Sequence, residues 1–170
     1  RRMKVYIYTR FSPRRNAALA ESNQAQTDKC CEWLRIQFPE QRITACIYAD
    51  EALSGKARDD VELLEDLIQD RPGLKGMLET LKSGDGDLVV VYDLDRLARD
   101  PFLGMAIIRA IRCRGAKLAT ANAGFIDLSD DGAELMCFIM WWGAKQERKK
   151  IGKRTSEAMK RHQDAGRRID

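Results

Sequence analysis

The chain has 170 residues, 44% hydrophobic and 33% charged, which describes a soluble globular domain with a real core and a rich charged surface. A net charge of +4 is too small to establish a nucleic-acid partner, so the distribution of charge along the chain matters more. The single histidine, His162, sits in a basic tail, which argues against a Ser-His-Asp triad and against a His-rich zinc site.

The five cysteines (Cys30, Cys31, Cys46, Cys113, Cys137) are odd in number, form no C-x-x-C pair and lie partly in apolar stretches. They read as buried thiols of a reducing, cytoplasmic protein rather than a disulfide framework. The longest apolar run, Leu135–Ala144, is too short to span a bilayer. No signal peptide is evident, and Met3 reads as the natural start after Arg1-Arg2.

Taken in order, Met3–Ser12 alternates Val5, Ile7 and Thr9 with Lys4, Tyr6 and Tyr8, a strand pattern that ends on Arg10, Ser12 and Pro13. A polar loop follows to Glu21. Ser22 then caps a helix to about Phe38, with Cys30, Trp33, Leu34 and Phe38 as its apolar stripe and Pro39 as its stop. Ile43–Tyr48 reads as a second strand running into Asp50. Lys56–Asp60 is a charged loop, and Val61, Leu64, Leu67 and Ile68 suggest a short extra helix broken by Arg71-Pro72-Gly73. Leu74, Met77, Leu78 and Leu81 form a clean amphipathic helix. After a turn at Ser83–Gly86, Leu88–Tyr92 is a continuous apolar run, a strand buried on both faces as in parallel sheets.

That run ends on Asp93-Leu94-Asp95-Arg96-Leu97-Ala98-Arg99. Asp100-Pro101 predicts an N-cap with proline in the first turn, opening a helix to about Arg114 that Gly115 ends. Ala116–Ala121 reads as a fourth strand. Asp131 with Glu134 predicts a capping pair for a last helix to about Gln163, nearly 50 Å long at ~1.5 Å per residue. Leu135, Phe138, Ile139 and Trp142 form one stripe on it, and Met136, Met140 and Trp141 make its first half apolar on other faces as well. A helix apolar all round is buried by something, here a partner subunit. Its second half is basic: ten Lys/Arg lie between Lys145 and Arg168 against Glu147, Glu157 and Asp164. That is a solvated charged helix or a surface for the phosphate backbone.

The alternation of strands and helices predicts an α/β fold with a mostly parallel central sheet of about four to five strands, flanking helices and a long C-terminal helix. The carboxyl ends of parallel strands share one edge, which would gather Arg10, Ser12, Asp50, Asp95, Arg96 and Arg99, with Arg71 opening the neighbouring helix. Several guanidiniums around one hydroxyl, without histidine, suit a phosphorus transition state whose charge must be stabilised. The serine would be the nucleophile or a phosphate ligand, and the carboxylates would orient arginines or handle a proton.

These residues carry a resemblance. Tyr8-Thr9-Arg10-Phe11-Ser12, Ser22-Asn23-Gln24-Ala25-Gln26, Asp50…Ser54-Gly55, Arg71-Pro72-Gly73-Leu74, Asp93–Asp100 and Gln146-Glu147-Arg148…Ile151…Arg154-Thr155 resemble, in order, the catalytic domain of serine recombinases of the resolvase/invertase family. The resemblance implies site-specific DNA strand exchange through a 5′-phosphoserine formed on Ser12. Arg10, Arg71, Arg96 and Arg99 would hold the phosphate, while Gln26, Asp50 and Asp95 would position groups or move protons. No cofactor is implied, and no metal. Residues 1–130 would form the catalytic core. Residues 131–170 would form the oligomerisation and DNA-contacting helix, with Glu147, Arg148, Lys149, Lys153 and Arg154 as its interface and DNA residues and DNA and further copies of the chain, dimer then tetramer, as partners. The protein would be cytoplasmic, with the nucleoid as its place of work. Phe11 is bulkier than the family's usual residue there, and Lys56–Asp70 is longer than its usual connection. The family's separate DNA-binding domain is not in this chain, which reads as an excised catalytic domain.

Two rivals stand beside this reading. The stretch VVVYDLD resembles the D-x-D loop of Mg²⁺-dependent phosphatases, with Asp130-Asp131 as a later acidic pair, but that assignment leaves Arg10 and Ser12 unused. A catalytically idle DNA-binding or oligomerisation module is the other, and it leaves the four matching arginines without a purpose.

Overall fold

The structure, a computed structural model, describes residues 3–11, 22–51, 64, 68–81, 87–98 and 100–164. Among the described residues five strands and five helices follow one another: β1 (Met3–Phe11), α1 (Asn23–Gln37), β2 (Ile43–Glu51), α2 (Pro72–Thr80), β3 (Leu88–Val91), the single turn α3 (Leu94–Leu97), α4 (Pro101–Cys113), β4 (Lys117–Thr120), β5 (Gly124–Ile126) and α5 (Asp131–Asp164). The strands form one sheet in the order β2-β1-β3-β4-β5. The first four are parallel and β5 returns antiparallel to β4. The predicted parallel α/β sheet is therefore present. The turn at Ser83–Gly86, most of the Lys56–Asp70 segment and Ser12–Glu21 lie outside the described residues.

β1 is an interior strand, and its alternation separates two buried faces rather than core from solvent. Val5 and Ile7 pack with Cys30 and Leu34 of α1 and with Val90. Tyr6 and Tyr8 face the other way, into a cluster with Leu74 and Met77 of α2, Ile107 and Ile108 of α4, and Val89 and Val91 of β3. All four residues of β3 are buried, as its unbroken apolar run requires.

Local chemistry sets most boundaries. The Ser22 side chain accepts the Ala25 N–H at 3.1 Å, so the helix starts where its cap was read. Asp100 accepts from Phe102 N at 3.0 Å and Leu103 N at 3.3 Å, with Pro101 in the first turn. Gly115, at φ 72°, ends that segment in the left-handed conformation glycine tolerates best. β5 has no counterpart among the four strands placed from the sequence, because three residues are too few for a period. Gly124, at φ 84°, turns the chain back into it.

The cap of α5 differs from the expected Asp131–Glu134 pair. Asp130 is the cap, accepting the Ala133 N–H at 2.8 Å. Asp131 is the first helical residue, and Glu134 is drawn away by two arginines of α4: Arg112 donates to it at 2.7 Å and Arg109 at 3.0 Å. Charge-assisted bonds to guanidiniums outcompete a reach back to one amide.

At ~1.5 Å per residue the 34 residues of α5 span about 50 Å. Among its described side chains, Glu134, Cys137 and Trp141 are buried against the domain, and Phe138 and Trp142 pack on Phe102 of α4. The indole Nε1–H of Trp141 donates to the Ala98 carbonyl at 3.1 Å, and its ring fills the space above Gly104 of α4. The predicted stripe is turned outward in large part, since Leu135, Ile139 and Trp142 are exposed, as are Met136 and Met140. All five cysteines are free; Cys30 and Cys137 are buried, and Cys113 is exposed rather than buried. Burial pushes the Cys30 thiol up to about 12.

Two outcomes follow for the α4–α5 contact. A methyl group at residue 104 would overlap the Trp141 ring. Gly104→Ala is expected to lower unfolding free energy by about 1–3 kcal/mol in chemical denaturation and to shift tryptophan emission to the red. The Arg112 guanidinium, helped by Arg109, holds the Glu134 carboxyl below the usual carboxylate range against the opposing pull of burial. A lowered folded-state value means that this stabilisation is present above the unfolded carboxylate pKa and is lost as pH falls through the folded one. The fall in melting temperature between about pH 5 and pH 3 should therefore be smaller in Glu134→Gln than in the wild type.

Candidate active site

The strand order places a topological switch point between β1 and β3. β1 leads to β2 through α1 on one face, and β2 leads to β3 past α2 on the other. In open α/β sheets the crevice beyond the carboxyl ends at such a point is where ligands bind. Arg10 is the penultimate residue of β1, and Asp93–Arg96 follow directly after β3.

Arg10 is 3% exposed and Arg71, the N-cap residue of α2, 7%. Their side chains converge on one short piece of backbone. Arg10 Nη2 donates to the Asp95 carbonyl at 2.8 Å, and Arg71 Nη2 donates to the Arg96 carbonyl at 3.3 Å. Two guanidiniums on consecutive carbonyls of α3 concentrate positive charge at the switch point. Arg96 itself lies 3.5 Å from the Asp95 carboxylate, both partly exposed.

Gln26, fully buried in α1, makes a reciprocal pair with the backbone of Arg10. Its Oε1 accepts the Arg10 N–H at 3.2 Å, and its Nε2 donates to the Arg10 carbonyl at 3.1 Å. A carboxamide offers one donor and one acceptor in this geometry, so it continues the ladder of β1 where no further strand residue does.

Asp50 is opposite Arg10 in the β1–β2 register. Its carboxylate accepts Gly73 N–H at 2.7 Å and Leu74 N–H at 3.0 Å, capping α2 from another part of the chain, and accepts the Tyr8 hydroxyl at 2.8 Å. The cap needs a close approach: a Cβ on Gly73 would stand 2.6 Å from the Ala49 carbonyl oxygen. Tyr8 in turn accepts from Arg71 Nη2 at 2.6 Å and Nε at 3.1 Å. Burial raises the Tyr8 hydroxyl well above the ordinary phenol range, with Asp50 adding to the shift and Arg71 opposing it, so it keeps its proton.

The expected residues Arg10, Gln26, Asp50, Arg71, Asp95 and Arg96 are thus brought together. Ser12 and Arg99 lie outside the described residues. Glu147, Arg148 and Lys149 fall within α5, but their side chains are outside the described set. Lys153 and Arg154 are exposed on that helix, and Lys153 is 3.9 Å from Glu157. Tyr8 was missing from the expected site. Its signal was available, since it lies two residues before Arg10 and so on the same face of the strand. Among the described residues no three His, Cys, Asp or Glu side chains group as a metal site.

Fold and cluster together define a doubly wound α/β domain with an arginine-lined crevice at its switch point. The family described as "Resolvase, N terminal domain" matches residues 5–168, and the chain belongs to it. Among solved structures, the N-terminal catalytic domain of TP901-1 integrase is similar at 21% identity and a TM-score of 0.56, covering 87% of this chain and 98% of that one. A resolvase family site-specific recombinase from Streptococcus pneumoniae is similar at 25% identity and a TM-score of 0.53, covering 95% and 99%.

Removing the Asp50 carboxylate leaves two α2 amides and the Tyr8 hydroxyl without their acceptor. Asp50→Ala should lower unfolding free energy by about 1–2 kcal/mol, read from the denaturant midpoint at unchanged m-value, and Asp50→Asn by less because one acceptor oxygen remains.

Proposed function

We propose that this chain is the catalytic region of a site-specific DNA recombinase that works through Ser12. The observation that carries the reading is the pair of buried guanidiniums, Arg10 and Arg71, held on the consecutive carbonyls of Asp95 and Arg96 at the switch point. A phosphodiester matches the fork geometry of two neighbouring guanidiniums. Family membership points to the same chemistry. The two similar structures are named an integrase and a site-specific recombinase.

In this reading the Ser12 Oγ attacks a DNA phosphorus, and its proton leaves to a base or to solvent. The P–O3′ bond breaks, the 3′ oxygen departs as a hydroxyl after taking up a proton, and the 5′ end remains esterified to the serine. A 3′ hydroxyl from another strand then attacks that phosphorus and releases Ser12. Arg10, Arg71, Arg96 and Arg99 carry the phosphate charge, which grows in the transition state. Gln26 fixes the backbone of Arg10, Asp50 fixes the start of α2, and Asp95 orients Arg96. The phosphoserine keeps the energy of the phosphodiester, so rejoining by this route calls for no ATP.

Residues 1–130 form the catalytic core in this proposal, and 131–170 the helix that meets DNA and a second copy. The exposed apolar residues Leu135, Met136, Ile139 and Met140 suit the second copy. The basic residues, with Arg148, Lys149, Lys153 and Arg154 among them, suit the phosphate backbone. No helix among the described residues is long and apolar enough to cross a membrane, and a place beside DNA in the cytoplasm fits the activity.

The test is covalent capture. The full-length protein is incubated with a random-sequence duplex library in supercoiled plasmids and quenched with detergent, and DNA carrying protein on its 5′ ends is recovered. Wild type is expected to yield an adduct and Ser12→Ala none, at equal DNA retention before the quench. An adduct that survives Ser12→Ala would overturn the serine mechanism.

A further inference from the structure

A helix of one turn cannot hold itself in place. In α3 the Ala98 N–H reaches the Leu94 carbonyl at 3.3 Å, and the turn ends there, with Ala98 extended. Its later carbonyls, which a longer helix would satisfy internally, go to side chains from three other segments. Arg10 donates to Asp95, Arg71 to Arg96, and the indole of Trp141 to Ala98 at 3.1 Å. Leu97, Ala98 and Trp141 are all buried.

The third of these bonds differs from the other two. Arg10 and Arg71 converge on the crevice, where an arriving phosphate oxygen competes for the same guanidiniums. Trp141 comes from α5, and its ring lies over Gly104 of α4. Its single N–H is spent on Ala98 and carries no charge for an anion to draw away. Arg96 rides on the turn so held. Its Nε is buried, has no hydrogen-bond acceptor, and stands 3.5 Å from Asp95 Oδ1. Where the turn sits therefore decides where that donor points.

We propose that Trp141 is a positioning residue for DNA strand transfer: its indole N–H, bonded to the Ala98 carbonyl, holds the α3 turn so that Arg96 meets the reacting phosphate. The inference rests on the strand-transfer reading above. It gives the polar edge of a large aromatic residue a purpose that burial of the ring alone does not supply. It also gives Gly104 one, since any side chain there would overlap the ring and push the indole off the carbonyl. Small misplacements of a group that must meet a transition state cost large factors in rate.

Replacing the indole N–H of Trp141 by sulfur, with 3-benzothienylalanine incorporated at that residue, keeps the ring and its packing on Gly104 and removes the donor. With the duplex recovered by covalent capture on wild type, adduct formation in single turnover should slow by about tenfold or more while DNA retention stays the same. The same replacement made on Arg96→Lys should slow the reaction little further, because lysine lacks the fork whose place the turn sets. A merely structural role would slow both backgrounds equally. That result, or a sulfur variant as fast as wild type, overturns the proposal. A second measurement needs no DNA. The ¹⁵N-labelled indole N–H of Trp141 should exchange slowly with solvent in wild type, and the Arg96 Nε–H signal should shift in the sulfur variant. Fast exchange of the indole, or an unmoved Arg96 signal, would overturn the hold itself. A wild type that shows the slow indole signal and forms no adduct would overturn the strand-transfer reading and leave the hold standing.

Discussion

The Asp50 carboxylate is the point on which the arginine-bearing edge of the domain depends. It sits at the end of β2, beside Arg10 in register, and accepts two amides of α2 and the hydroxyl of Tyr8. One buried carboxylate thereby joins the edge strand β2 and its neighbour β1 to the helix that Arg71 caps. Its negative charge lies where the unsatisfied N–H groups of a helix start point, so the local dipole favours it there. With the helix start fixed, Arg71 can reach the α3 carbonyls that Arg10 also grips, and the charge of the crevice is assembled from three segments distant in sequence.

The long helix divides into parts with different physics. Its first turns are clasped to α4 by Glu134 between Arg109 and Arg112, and by Trp141 lying over Gly104. Trp141 also bonds to Ala98, next after the turn that holds Asp95 and Arg96. The seating of α5 is thus mechanically continuous with the arginine cluster, through a single indole. Further along, residues 150–161 are exposed, and apolar side chains such as Ile151 and Met159 stand among the basic ones. A helix of that length with so little of its surface covered gains little stability from its own domain.

The strands at the centre of the fold were legible because their patterns differ in kind. The run Leu88–Val91 has no polar member and could only be a strand buried on both faces, whereas β5 is too short to show any period. Helix starts were legible where a side chain closes its own helix, as at Ser22 and Asp100. The start of α5 was misread by one residue, since Asp130 and Asp131 have the same chemistry and only the position of Arg109 and Arg112 takes Glu134 out of the cap. Of the residues expected at the site, Arg10, Gln26, Asp50, Arg71, Asp95 and Arg96 lie together, and Ser12 and Arg99 lie outside the described residues. Tyr8 was quoted as the first residue of the motif that carries the resemblance and was given no role, because a tyrosine inside an apolar strand ordinarily reads as core.

By itself the amino-acid order determined the alternation of strands and helices, the parallel sheet that alternation demands, and the gathering of arginines and carboxylates at one edge. Each of these depends on local periodicity and on strand direction, both of which are written in neighbouring residues. Only the tertiary structure decided what each polar group is bonded to: Asp50 as the cap of a helix more than twenty residues away, Gln26 as an extension of the β1 ladder, Glu134 as a clasp and Tyr8 as the grip on Arg71. Those partnerships depend on distances between segments remote in the chain, and a hydrogen bond is decided within a few tenths of an ångström that no sequence spacing encodes.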